Sequence, residues 1–169
     1  MKVVKFLFLL IFVSLLTTSA QAKDLKIAYV ELGGIFNNYN KTKDYDTKLQ
    51  KESQDAQKQM EAMLKKFHDD EGKLALLKED EKQKLQTSID KQKMDLMEFQ
   101  KQKRAELGKT FEDKRKEILL EIEKVASDVA KKEGYTFIFN ETVIIYAEPG
   151  TNITEQVLKV LNDSYSAKK

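Results

Sequence analysis

Between residues 40 and 133, apolar residues recur at helical spacing. No proline interrupts them, and polar residues fill most other positions. From Leu49 the recurring face runs Leu49, Ser53, Ala56, Met60, Met63, Phe67, Asp70, Leu74 and Leu77. Steps alternating between four and three make a heptad seam, along which helices pack side by side. The rhythm stops around Lys78, Glu79 and Asp80. It resumes through Leu85, Ile89, Gln92, Leu96, Phe99 and Lys103, then Leu107, Phe111, Lys114, Ile118, Ile122, Val125 and Val129. Consecutive steps of four in that second part are a stutter, which locally unwinds a supercoil. Ser53, Asp70, Gln92 and Lys103 occupy positions where a coiled coil prefers apolar side chains, so the seam is loose. Gly134 is placed to end the second helix, with Lys131 and Lys132 near its negative end.

A different rhythm appears at the two ends. Residues 25–32 alternate as a strand, with Ile27 and Tyr29 on one face and Ala28, Val30 and Leu32 on the other. Gly33 and Gly34 are expected to break that strand and turn it into a helix opened by Ile35 and Phe36. Residues 135–140 and 143–147 read as two strands of a β-hairpin, tightly turned at Glu141 and Thr142 and closed by Pro149 and Gly150. A final helix spans residues 153–163. Asn152 is its N-cap, Glu155 completes the box, and Ile153, Val157, Val160 and Leu161 are its buried stripe. Residues 164–169 are expected to be a loose tail.

These pieces constrain one another. A single helix over residues 40–133 would be about 140 Å long and would separate the first strand from the hairpin. A lone strand is unstable in water, and a two-stranded hairpin is barely stable. The helical stretch must therefore fold back, near residues 78–80, into arms of residues 40–77 and 81–133. The fold class is α+β: a long antiparallel α-helical hairpin, coiled-coil-like, on a small β-strand body. Residues 23–40 and 130–169 form the body, and residues 41–129 form the arm. Both faces of residues 137–139 and 143–147 are apolar, yet the final helix can cover only one. A further copy of the chain covers the other, so the body is expected to oligomerise. Its oligomerisation residues are Ile27, Tyr29, Val30, Phe137, Ile138, Phe139, Val143, Ile144, Ile145 and Tyr146.

Composition agrees with solvated helices: 34% of the 169 residues are charged and one is proline. Lys2 and Lys5 carry the whole formal excess of +2, so the rest of the chain is neutral. That balance argues against a nucleic-acid partner, which needs a basic footprint. Residues 1–22 have the form of a cleaved secretory signal. Lys2 and Lys5 precede an apolar run over residues 6–16, and Ala20, Gln21 and Ala22 form the small-x-small cleavage site. The mature chain then begins at Lys23, outside the cytoplasm. With no cysteine, neither a disulfide framework, a thiolate metal site nor a lipoprotein anchor is available.

Catalytic chemistry is not expected, nor a metal or cofactor. His68 is the only histidine and has no Ser or Cys nucleophile nearby in the sequence. The carboxylates alternate with lysines at helical spacing, as a solvated face requires. The arm's methionines and phenylalanines offer more. Met60, Met63, Phe67 and Phe99 lie on the seam and hold the arms together. Met94 and Met97 lie off it and leave an adaptable apolar strip facing outward. These six are the candidate client-binding residues. A basic cluster of Lys101, Lys103, Arg104, Lys109, Lys114, Arg115 and Lys116 could attract anionic lipid or acidic client segments, although a solvated charged face is the better account of it.

The motifs at the two ends resemble the Skp (OmpH) family of periplasmic chaperones. They are the strand at residues 26–30, the Gly33–Phe36 turn, Val129–Tyr135 before the hairpin, residues 146–150, and the helix at residues 154–162. The resemblance implies a jellyfish-like homotrimer. Three α-hairpin tentacles would surround a cavity that holds unfolded outer-membrane proteins in the periplasm and keeps them from aggregating without ATP. Better-known members are strongly basic, whereas this chain is neutral beyond residue 22, and no lipopolysaccharide site is carried over.

Two functions follow, a holdase for exported proteins or a structural coiled-coil spacer that binds a folded envelope partner. Hydrogen exchange along residues 49–116 separates them. Exchange is expected to quicken toward Lys78, as adaptable arms require; uniform strong protection would favour the spacer.

Overall fold

The computed structural model describes residues 25–167, so the signal segment expected at residues 1–22 lies outside them. Strand β1 (Ile27–Val30) pairs in parallel with β2 (Phe137–Asn140), Ile27 opposite Phe137 and Val30 opposite Asn140. Between them run helices α1 (Leu32–Asn38), α2 (Asn40–Leu74) and α3 (Glu79–Glu133). After β2 come a 3-10 turn (Glu141–Val143) and helix α4 (Thr154–Ser166). On its other side β1 makes a single bridge to Asn152. Tyr29 N–H donates to Thr151 O at 2.9 Å, and Ile153 N–H donates to Tyr29 O at 3.0 Å. β1 is thus the middle element, and no described strand pairs with the outer edge of β2.

The expected β-hairpin does not form. Residues 141–143 curl into the 3-10 turn, and residues 144–147 lie outside the sheet. Glu141 explains the departure, because its Oε2 accepts the Leu32 N–H at 2.9 Å. Tying Glu141 to the start of α1 turns the chain away from β2 and leaves residues 144–147 without a strand to pair with.

The same contact corrects the reading of Gly33 and Gly34. Both lie inside α1. The chain turns at Glu31, whose N–H donates to Thr154 Oγ1 at 2.8 Å, while the Glu141 carboxylate sits at the positive end of α1. Positive φ is adopted by Gly134 (75°), which closes α3, and by Gly150 (90°). Both are positions that a side chain would strain.

α2 and α3 form the arm. Asp70 meets Gln92, Tyr45 meets Glu117 and Lys41 meets Glu121, each pair farther from the turn on both helices, as antiparallel packing demands. The turn occupies residues 75–78, just short of the expected 78–80. Glu79, Asp80 and Glu81 are the first turn of α3, where three carboxylates suit the helix dipole, so the acidic run starts a helix instead of interrupting one. The seam positions are half-buried from Leu49 to Leu77 and buried or half-buried from Leu85 to Val129, with two exceptions. Ser53 faces solvent. At the stutter, Thr110 turns inward and Phe111 outward.

With 35 residues, α2 is about 52 Å long; α3, with 55, is about 82 Å. The excess of α3 runs into the body, where Ile118, Ile122 and Val129 join Ala28, Val30, Ile35, Tyr39, Ile153, Val157 and Leu161 in one core. Tyr39 is the extended link between α1 and α2, and its ring is fully buried. Of residues 164–169, expected to be loose, 168 and 169 lie outside the described residues, and Tyr165 is docked there. α4 continues to Ser166, and Tyr165 packs edge-on against Tyr39 with ring centroids 5.8 Å apart. The Tyr165 hydroxyl donates to Asp44 Oδ2 at 2.9 Å. Asn162 Oδ1 accepts the Asn40 N–H at 2.8 Å and so caps α2. The N-cap of α4 is Ile153, one residue after the expected Asn152, and it makes no side-chain cap bond; Asn152 Oδ1 still accepts the Thr154 N–H at 2.9 Å from just outside the helix. Val160, expected in the buried stripe, is exposed, while Leu158 packs on the core.

Ile122 is central to this core and only 1% exposed. Ile122→Ala is expected to lower unfolding free energy by about 2–5 kcal/mol in urea titrations. A loss well below about 1 kcal/mol would show that the body does not rely on the root of α3.

Candidate functional site

Two unsatisfied surfaces stand out, one on the arm and one on the body. On the arm, the six predicted residues separate into two groups. Met60, Met63, Phe67 and Phe99 are half-buried on the seam. Met94 and Met97 are 64% and 65% exposed on the outward side of α3. With Lys101, Arg104 and Ala105, spaced at about one turn, they line a shallow depression edged by Glu98 and Gln100. Leu76, in the turn at the arm's tip, is 84% exposed. It was not among the predicted residues, and its only sequence signal is a leucine out of step between the seam positions Leu74 and Leu77. His68 is exposed, with Nδ1 3.3 Å from a Glu71 carboxylate oxygen.

The body presents an open apolar face. Phe137 and Phe139 project from β2 with their rings stacked at 5.9 Å, and Ile27 is exposed beside them. Val143 and Tyr146 are largely exposed, and Ile145 is wholly so. Tyr29 and Ile144 are half-buried. Val30 and Ile138 face the other way, Val30 as part of the subunit's own core and Ile138 packed against it. The ten predicted body residues are therefore divided between an outer surface and an inner one. An edge strand with exposed phenylalanines and no described partner on its outer edge is a template for further pairing.

Between the two surfaces lies the root of the arm. Lys41 Nζ bridges Glu117 Oε1 at 2.8 Å and Glu121 Oε2 at 2.7 Å. Tyr45 donates to Glu117 Oε1 at 3.0 Å, and Lys114 donates to Glu117 Oε2 at 2.9 Å. Lys114 Nζ also lies 4.7 Å from the centre of the Tyr45 ring, within cation–π range. Burial alone would lower the Lys41 ammonium, but its hydrogen bonds to Glu117 and Glu121 outweigh that and raise it. Lys41 first, and then Lys114, hold the Glu117 carboxyl down at about 2. Burial, reinforced by the charge of Glu121, pushes the Tyr39 hydroxyl up to about 12. Every charge in this network is compensated, so α2 and α3 are clamped to each other where the arm meets the body.

Further out, the seam carries a polar pair. Gln92 Nε2 donates to Asp70 Oδ2 at 2.8 Å, while Lys73 donates to Asp70 Oδ1 at 2.9 Å. Lys73, with Gln92 second, lowers the Asp70 carboxyl. Two seam positions that seemed to be defects thus bind each other across the arm. A polar pair at core positions favours one register at some cost in stability. Among the described residues, no group of three or more His, Asp or Glu is placed to hold a metal ion, and no helix is long and apolar enough to cross a membrane.

Glu117 makes the root sensitive to pH. Its folded value, about 2, lies below the ordinary 4.5, so its stabilising contribution is present above pH 4.5 and is lost as pH falls toward 2. Glu117→Gln should melt below the unaltered protein at pH 7, with the gap closing between about pH 4.5 and pH 2. A gap independent of pH would remove the carboxylate from the clamp.

Comparison with known proteins agrees with this architecture. A crystal structure from Caulobacter crescentus CB15, described as a candidate outer membrane chaperone (OmpH-like), superposes with a TM-score of 0.76. It covers 83% of this chain and 85% of its own at 11% identity. At that identity the likeness is one of fold. No curated protein matches the chain. The family profile described as outer membrane protein (OmpH-like) matches residues 26–161, spanning β1, the whole arm, β2 and most of α4. This chain belongs to the OmpH-like outer membrane protein family.

Proposed function

We propose that the chain is an ATP-independent holdase of the periplasm, which binds unfolded outer-membrane proteins and other exported chains against its arms and keeps them from aggregating. The observation that carries the reading is the pair Met94 and Met97, exposed on an arm whose seam is filled by other residues. Unbranched thioethers repack around many partners, which suits a client without a fixed shape. Burying one such side chain contributes at most about 1.5–3 kcal/mol, so holding must come from many weak contacts at once. Several arms around one client provide them.

The open edge of β2 supplies the means of gathering arms. Joining bodies through Ile27, Phe137, Phe139, Val143, Ile145 and Tyr146 would bury the exposed face and pair the free edge. We assign that association to a homotrimer with a cavity between three arms. Family membership supports this reading, as does the description of the structural neighbour as a candidate outer membrane chaperone. Residues 1–22 are assigned to export, and the basic residues of α3 to at most an auxiliary contact with anionic lipid.

Mass measurement on residues 23–169, alone and with an unfolded β-barrel protein, is expected to give a trimer and a trimer with one client. The protein should suppress aggregation of that client at stoichiometric amounts. Met94→Ser/Met97→Ser should weaken holding about tenfold, the equivalent of 1.4 kcal/mol, and leave the trimer intact. Failure of the unaltered protein to suppress aggregation would refute the holdase reading; a monomer at micromolar concentration would refute the assembly.

A further inference from the structure

We propose that Met94 and Met97 are a sulfoxidation site that switches off the arm's holding face without unfolding the arm. The consequence for clients rests on the holdase reading; the site itself rests on the distribution of sulfur in the chain. There is no cysteine and no tryptophan, so methionine thioethers are its most readily oxidised groups. Of five methionines, Met1 lies outside the described residues. Met60 and Met63 are half-buried on the seam, with α3 packed against α2. Met94 and Met97 are 64% and 65% exposed and share one depression on the outward side of α3. Oxidation follows exposure, so the four thioethers divide into a protected structural pair and an accessible surface pair.

The oxidant class is hypochlorous acid. Each thioether sulfur takes the oxygen and loses two electrons, the chlorine leaves as chloride, and the hydroxyl proton is released. Lys101 and Arg104 line the same depression and concentrate hypochlorite there, which takes up a proton from solvent before it reacts as hypochlorous acid, with Glu98 offsetting one of the two charges. The product is a polar sulfoxide that accepts hydrogen bonds, so the apolar strip is lost where a client would meet it. The seam keeps its own methionines, and the arm keeps its fold. A dithiol-dependent methionine sulfoxide reductase reverses the change: two electrons and two protons remove the oxygen as water.

The test treats residues 23–169 with limiting hypochlorite and maps oxidation by peptide mass spectrometry. Met94 and Met97 are expected to oxidise at least about fivefold faster than Met60 and Met63, with helical circular dichroism retained. Holding of an unfolded β-barrel protein should fall to the level of Met94→Ser/Met97→Ser and recover with reductase and dithiothreitol. Whatever level of holding Met94→Leu/Met97→Leu, apolar but not oxidisable, retains before treatment, it should keep the same level after treatment. Equal oxidation of the seam methionines, loss of helicity in step with oxidation, or unchanged holding after oxidation would each overturn the proposal. So would a leucine variant as sensitive to hypochlorite as the unaltered protein. If the untreated protein holds no client, the holdase reading fails instead, and the oxidation map still accepts or rejects the site.

Discussion

The parallel pairing of Ile27–Val30 with Phe137–Asn140 is the constraint on which the rest depends. Parallel strands cannot be joined by a tight turn; the chain must leave one end of the first strand and return to the opposite end of the second. In most α/β folds a single helix makes that crossing. Here the crossing has been drawn out into the whole arm. α2 runs outward, α3 returns, and the extra length of α3 delivers the chain to β2. At the point of return the body grips the chain closely. Thr136 N–H donates to Lys26 O at 2.7 Å, and the Lys26 ammonium donates to Glu133 O at 2.8 Å. A long connection enlarges the entropy lost in bringing the strands together, but only slowly with length, and helix formation removes most of that freedom locally.

Cohesion is graded along the arm. At the root, Lys41, Glu117, Glu121, Tyr45 and Lys114 form a network, and the core begins directly beneath it at Ile118. Beyond it the seam is mostly half-buried and sparsely apolar, with the Asp70–Gln92 pair favouring register more than strength. A firmly joined root and a lightly packed outer arm are compatible with the proposed holding of clients of no fixed shape.

Both exposed apolar surfaces are by-products of these choices. The 3-10 turn at Glu141–Val143 removes residues 144–147 from the sheet and leaves β2 with an open edge. On α3, Met94 and Met97 lie off the heptad face and remain exposed. An open strand edge on the body and spare apolar surface on the arm are the two features on which the proposed reading rests.

Periodicity was sufficient for the arm. Steps of three and four marked nearly every seam residue from Leu49 to Val129, Gly134 marked the end of α3, and alternation in residues 27–30 marked the buried faces of Ala28 and Val30. Local patterns are legible because helix and strand geometry impose them residue by residue. Even the fold-back followed from the sequence, since an unpaired strand is not stable. What tertiary structure alone decided was which distant groups satisfy each other. Nothing near Glu141 in the chain announces that its carboxylate receives the Leu32 amide, yet that contact replaced a hairpin with a turn. Nothing in the last residues shows that Tyr165 docks on Tyr39, or that Asp70 and Gln92, each a fault in its own helix, are partners. Hydrogen bonds between residues far apart in sequence leave no periodic trace, and they are what separates the observed body from the expected one.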